Sequence, residues 1–110
     1  MNWIPLDKPE QLQNIISAKG YNVIFKHSTR CPVSMMAKRR FEQDWDQVPE
    51  GTPLYFLDLI KYRDISNAIA SDFKVYHESP QLLLIKDGEC IYESSHGEIS
   101  ADDLAEQMTA

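Results

Sequence analysis

The chain has 110 residues, a length that suits one domain built around one core. It carries 43% apolar and 25% charged residues with a net charge of −6, which argues against a general binder of phosphate backbones, since those depend on clustered positive charge. Its longest aliphatic run, Leu82 to Ile85, is far too short to span a bilayer, and the opening MNWIPLDKPEQ has no basic stretch leading into an apolar one, so neither a membrane span nor a secretion signal is expected.

The first helix is expected from Lys8 to Lys19, with Asp7 as N-cap, Glu10 completing a capping box and Gly20 as the stop. Leu12, Ile15 and Ile16 form its inner face. Tyr21 to Ser28 is rich in β-branched and aromatic residues and reads as a central strand. A second helix opens at Pro32, whose missing N–H would have had no partner in a first turn. Val33, Met36, Ala37, Phe41, Trp45 and Val48 recur at steps of three and four, which predicts one apolar face with Met35 and Met36 as core filler. Lys38-Arg39-Arg40 fans around that helix and reads as a solvated surface, with an anion-binding role as the alternative.

Pro49 and Gly51 end the helix, and Pro53 to Ile60 forms the next strand. Asp64 caps a short helix with Ile65, Ala68, Ile69 and Phe73 inward. Residues 79 to 95 read as a hairpin turning at Asp87-Gly88, because a type I′ turn needs positive φ at both central residues. Ser100 and Asp103 cap a last helix with Leu104, Ala105 and Met108 inward. The predicted order is α-β-α-β-α-β-β-α, an α/β fold with a mixed sheet flanked by helices.

Two cysteines without an evident signal suggest a reducing cytoplasm rather than a disulfide scaffold. Cys31 stands where a strand meets a helix, directly before Pro32. Thiol chemistry needs the thiolate, and the unpaired N–H groups and positive dipole end of a helix N-terminus favour that anion. Ser28, Thr29 and Ser34 offer hydroxyl hydrogen bonds, Lys26, His27 and Arg30 offer positive charge, and Pro32 stiffens the turn. Cys31 is therefore the candidate nucleophile, the alternative being a small buried hydrophobe. Strand alternation sends Lys26 and His27 to opposite faces, so at most one of them meets a ligand. No spacing of Cys and His fits a zinc site, and no phosphate loop, Rossmann fingerprint or nucleophile elbow is present.

The Cys-Pro-x-x start of the helix after the first central strand, with Glu78-Ser79-Pro80 leading into the hairpin, resembles the thioredoxin superfamily. That resemblance implies that Pro80 is a cis-proline packed beside the active cysteine. The segment Phe25-Lys26-His27-Ser28-Thr29-Arg30-Cys31-Pro32-Val33-Ser34 closely resembles the signature of the monothiol bacilliredoxins, with Val33 for isoleucine among the small departures. It implies one thioredoxin-like domain over residues 1–110 that removes bacillithiol from protein mixed disulfides, with Cys31 attacking the bacillithiol sulfur. Bacillithiol would be the thiol co-substrate, bacillithiolated proteins the partners, and a second bacillithiol or a reductase the reductant.

Ser34 stands where a dithiol enzyme has its resolving cysteine, so it cannot close a disulfide; a hydrogen bond to the Cys31 thiolate or a plain helical role remains open to it. Cys90 opens the return strand of the hairpin, about 20 Å from the Pro80 end, and reads as structural. Arg30 suits the malate carboxylates of bacillithiol, and Lys26, Ser79, His96 and Gly97 are weaker binding candidates. No tightly bound cofactor, metal, nucleic acid or membrane is called for. The competing readings are a glutathione-using or iron–sulfur-carrying monothiol glutaredoxin, which usually has Cys-Gly-Phe-Ser, and a non-catalytic thioredoxin-like adaptor.

Overall fold

The computed structural model describes residues 2–109. Its strands are β1 (Trp3–Pro5), β2 (Tyr21–His27), β3 (Leu54–Asp58), β4 (Gln81–Lys86) and β5 (Glu89–Ser95). Its helices are α1 (Pro9–Ser17), α2 (Pro32–Gln43), α3 (Arg63–Asp72) and α4 (Ala101–Thr109), with short 3-10 turns at Trp45–Gln47 and His96–Glu98. The sheet runs β1-β3-β2-β4-β5; β1, β3 and β2 are parallel, whereas β4 and β5 are antiparallel to their neighbours.

Alternation along β2 divides the core in two. Val23 and Phe25 join Phe41 of α2, Leu82 and Leu84 of β4, and Leu104 and Met108 of α4 on one face. Ile24 joins Leu12 and Ile15 of α1, Ile65 and Ile69 of α3, and Leu83 and Ile85 of β4 on the other. The expected mixed sheet with helices on both sides is present.

Strand β1 is an addition to the expected order. It is three residues long and ends in Pro5, so the sequence holds almost no strand signal there. Its place is secured by Trp3, whose ring lies 5.7 Å from each of Phe25, Phe41 and Phe56 and whose indole N–H donates to Glu42 at 2.8 Å.

Several cap assignments shift. Lys8, not Asp7, is the N-cap of α1, and Pro9 takes the first helical position. Gln11, not Glu10, closes the turn, accepting N–H bonds from Asp7 at 2.9 Å and Lys8 at 3.0 Å. At α3 the N-cap is Tyr62; Asp64 lies in the first turn, and Asp58 instead accepts the N–H of Ile60 at 3.1 Å. At α4 the Ser100 half of the expected cap is present, with Asp103 N–H donating to Ser100 Oγ at 3.3 Å.

The largest correction concerns α2. Val33 is 49% exposed, Met35 46% and Met36 65%, so none of the three is core filler. The buried stripe is Ser34, Ala37 and Phe41, one residue out of phase with the expected face at its start. A serine occupies the first inward position because it finds polar partners there, and apolar periodicity has no means of registering that.

The hairpin turns at Asp87 and Gly88, with φ of 51° and 83°. Its tip is tied to the end of α1: Gly20 N–H donates to Asp87 Oδ1 at 2.7 Å and Asp87 N–H to Gly20 O at 3.0 Å. A Cβ at Gly88 would collide with the Ile16 carbonyl, whereas one at Gly97 meets nothing. Gly88→Ala is accordingly expected to cost about 2 kcal/mol in urea unfolding, and Gly97→Ala less than about 0.5 kcal/mol. Equal stability of the two variants would contradict this assignment.

Candidate active site

The site is built at the C-terminal end of β2. In register, Lys26 of β2 faces Leu57 of β3 and Gln81 of β4, and His27 faces Asp58. The chain leaves the sheet at Ser28, turns through the exposed Thr29 and Arg30, and enters α2 with Cys31 as its N-cap and Pro32 at the first helical position. Cys31 N–H donates to Ser28 O at 3.2 Å, and Cys31 O accepts from Met35 N–H at 3.1 Å. The thiol is partly exposed and unpaired. Its position at the start of a twelve-residue helix sets it among N–H groups with no intrahelical acceptor.

Ser34 is fully buried. Its hydroxyl oxygen accepts Ser28 N–H at 3.1 Å and lies 2.7 Å from His27 Nδ1. This serine therefore ties the loop before Cys31 to the helix after it. Its bonding points toward the sheet and the loop, with no bond to the Cys31 sulfur among the described residues.

At the same end of the sheet the Ser79–Pro80 peptide bond is cis, as the resemblance implied, and Pro80 is buried. The loop around it is held from two sides. Pro80 O accepts His96 N–H at 3.1 Å, and His96 Nε2 lies 3.5 Å from Glu78 Oε2. On the other side, Lys26 Nζ lies 2.8 Å from His77 Nδ1. The Ser79 hydroxyl is buried with no hydrogen-bond partner among the described residues. His96 adopts a φ of 53° and is exposed, as is Gly97.

Lys26 and His27 do take opposite faces. Lys26 has no exposed surface, and burial pulls its pKa down to about 8 against the opposing pull of the Glu78 carboxylate. His27 is also buried, and its pKa is lowered by burial and then by Lys38, with Asp58 and Glu42 acting the other way.

Sequence reasoning did not assign their roles to three residues that shape this end. His77 and Glu78 anchor the proline loop. Arg40 binds the His96–Ile99 segment to α2, its Nε donating to Ile99 O at 3.1 Å and its Nη2 to His96 O at 3.2 Å. In the basic cluster, Lys38 pairs with Glu42 at 2.8 Å, so Arg39 alone among the three has the character of a plain exposed surface residue. Nothing in the local pattern separates a clamp from a surface arginine.

Cys90 lies at the other end of the sheet. It pairs in register with Ile85, four residues along β4 from Gln81, which is about 13 Å. That exceeds the roughly 7 Å between Cα atoms that a disulfide tolerates, before any offset between Gln81 and Cys31 is added. Burial raises its thiol pKa, and the thiol donates to Tyr92 O at 3.4 Å. No group of three or more potential metal ligands occurs among the described residues, and none of their helices is long and apolar enough to cross a membrane.

The profile of the family described as monothiol bacilliredoxin BrxC matches residues 4–104. The chain belongs to that family. A solved protein with a thioredoxin fold is 32% identical, with 94% of this chain and 90% of that one covered and a TM-score of 0.79. The thioredoxin pre-protein of Schistosoma mansoni superposes with a TM-score of 0.76 at 14% identity, covering 98% of this chain and 99% of that one. Thioredoxin from Trypanosoma brucei brucei gives 0.72 at 17% identity, with 98% and 88% covered. The last two likenesses show the fold alone. Bacilliredoxin membership and the thioredoxin fold together support a thiol–disulfide oxidoreductase role.

The buried lysine gives this bacilliredoxin a testable pH signature. Between about pH 8 and the ordinary lysine value of 10.5, the unfolded chain holds a proton that folded Lys26 has lost. Stability therefore rises with pH across that window, and the burial penalty is fully present below it. Lys26→Met is expected to be at least as stable as the parent at pH 7, with its relative advantage shrinking between about pH 8 and 10.5 in urea titrations. A difference independent of pH in that range would contradict the assignment.

Proposed function

We propose that this protein removes bacillithiol from protein mixed disulfides with Cys31 as its single exchanging thiol. The Cys31 thiolate attacks the bacillithiol sulfur of the capped protein. The disulfide bond breaks, the freed protein sulfur leaves as a thiolate that takes a proton from water, and a new disulfide joins Cys31 to bacillithiol. A second thiol, either another bacillithiol or the thiol of a partner reductase, then attacks the bacillithiol sulfur and releases Cys31.

The observation that carries this reading is the partly exposed Cys31 at the head of α2 with a buried, fully engaged Ser34 at the position of a resolving thiol. A chain so built forms a mixed disulfide and needs an external thiol to clear it. Arg30, exposed beside Cys31, has the guanidinium geometry to meet the malate carboxylates, and Ser79, His96 and Gly97 lie on the loops at the same end of the sheet. The proposed setting is a reducing cytoplasm, where two unpaired cysteines persist.

Incubating the reduced protein with a bacillithiol-capped model protein tests this, with intact mass as readout and a glutathione-capped control. A bacillithiol adduct is expected on Cys31, absent in Cys31→Ser, and formed at least about tenfold faster than the glutathione adduct. Equal rates with the two caps would remove the bacillithiol assignment. An unmodified Cys31 with the cap still in place would remove the exchange reaction itself.

A further inference from the structure

We propose that His27 is a positioning residue for the thiol chemistry of Cys31, holding the turn that carries the sulfur through the Ser34 hydroxyl. This rests on the reading of Cys31 as the exchanging thiol and not on the identity of the thiol that caps the substrate.

Four contacts in series define the turn. His27 Nδ1 lies 2.7 Å from Ser34 Oγ, and Ser34 Oγ accepts Ser28 N–H at 3.1 Å. Ser28 O in turn accepts Cys31 N–H at 3.2 Å, and Cys31 O accepts Met35 N–H at 3.1 Å. The hydroxyl oxygen is thus a junction between β2, the turn and the first turn of α2. Its oxygen receives Ser28 N–H, and in this proposal its single proton goes to His27 Nδ1, the imidazole nitrogen then acting as acceptor.

That arrangement requires a neutral imidazole with Nδ1 as acceptor. The setting provides it. His27 is 6% exposed, and its ring centroid lies 5.2 Å from Phe56 and 6.3 Å from Phe25. The charged groups that face it are Lys38 and Glu42 of α2 and Asp58 of β3; burial and Lys38 outweigh the two carboxylates, so its pKa is lowered. Once protonated, Nδ1–H and Ser28 N–H would both aim at the Ser34 oxygen, and the serine proton would lose its buried acceptor. Protonation of His27 therefore loosens the turn that presents Cys31.

The test follows Cys31 reacting with hydroxyethyl disulfide, which carries neither sugar nor malate. The thiolate attacks one sulfur, the disulfide bond breaks, and mercaptoethanol leaves after taking a proton from water. The adduct is quantified on the Cys31 peptide. His27→Phe, which keeps the aromatic packing, is expected to react about tenfold slower at pH 7. His27→Asn, whose amide can stand in for Nδ1, is expected to recover most of that loss. The double variant His27→Phe/Ser34→Ala should be no slower than Ser34→Ala alone. The ratio of parent to His27→Asn rates should be flat above pH 6.5, the ordinary histidine value, and fall below it.

A folded His27→Phe that reacts at the parental rate, a double variant showing additive losses, or a ratio flat throughout would each overturn the proposal. The ratio decides the matter even if His27→Phe does not fold. A parent Cys31 that does not react with the probe overturns the exchange reading, and this proposal with it.

Discussion

The constraint on which the Cys31 end of the molecule depends is the double pairing of β2. One edge runs parallel to β3 and the other antiparallel to β4. The C-terminus of β2 therefore meets the N-terminus of β4 at one pole of the sheet, which places the Cys31 turn and the cis Ser79–Pro80 bond at the same end although 47 residues lie between Cys31 and Ser79. A one-residue slip in the β2–β4 register would exchange the two faces of β2, putting Lys26 where His27 now meets Ser34. The slip would take buried Lys26 and His27 away from His77 and Ser34, and that loss of partners makes it costly.

That pole is unusually polar for buried protein. Lys26, His27, Ser28, Ser34 and Gln81 all lie inside. Each has a partner: Lys26 reaches His77, His27 and Ser28 share Ser34, and Gln81 Nε2 donates to Tyr76 O at 3.0 Å and Glu93 Oε2 at 3.0 Å. Satisfied groups of this kind hold loops in one arrangement, and the buried Ser79 and Ser94 hydroxyls, which have no partner among the described residues, stand outside that network. The loops that carry Cys31, Pro80 and His96 are therefore held from within the sheet, with Arg40 closing the ring from α2.

Much of this was legible in the residues. The strand before Cys31, the helix opening at Pro32, the Asp87-Gly88 turn and the Ser100 cap each carry a short-range chemical signal. Pro80 and Ser34 acquired meaning only through family resemblance, since neither a cis bond nor the absence of a second thiol is a local propensity. What escaped was set by tertiary contact. Strand β1 exists because Trp3 packs among distant rings, and the outward turn of Val33 and Met36 follows from Ser34 finding partners inside. Arg40 and His77 act through carbonyls and side chains remote in sequence, and no periodicity announces that.

The account makes the protein a monothiol device by construction. Position 34 is committed to the loop, and Cys90 is held near the far end of the sheet with its thiol pKa raised by burial. The most direct measurement isolates the Cys31 mixed disulfide and follows its intact mass with no thiol added. The account predicts that the adduct persists until an external thiol is supplied. Spontaneous loss of the adduct, leaving a chain lighter than the reduced protein by the two hydrogens of an internal Cys31–Cys90 disulfide, would contradict it.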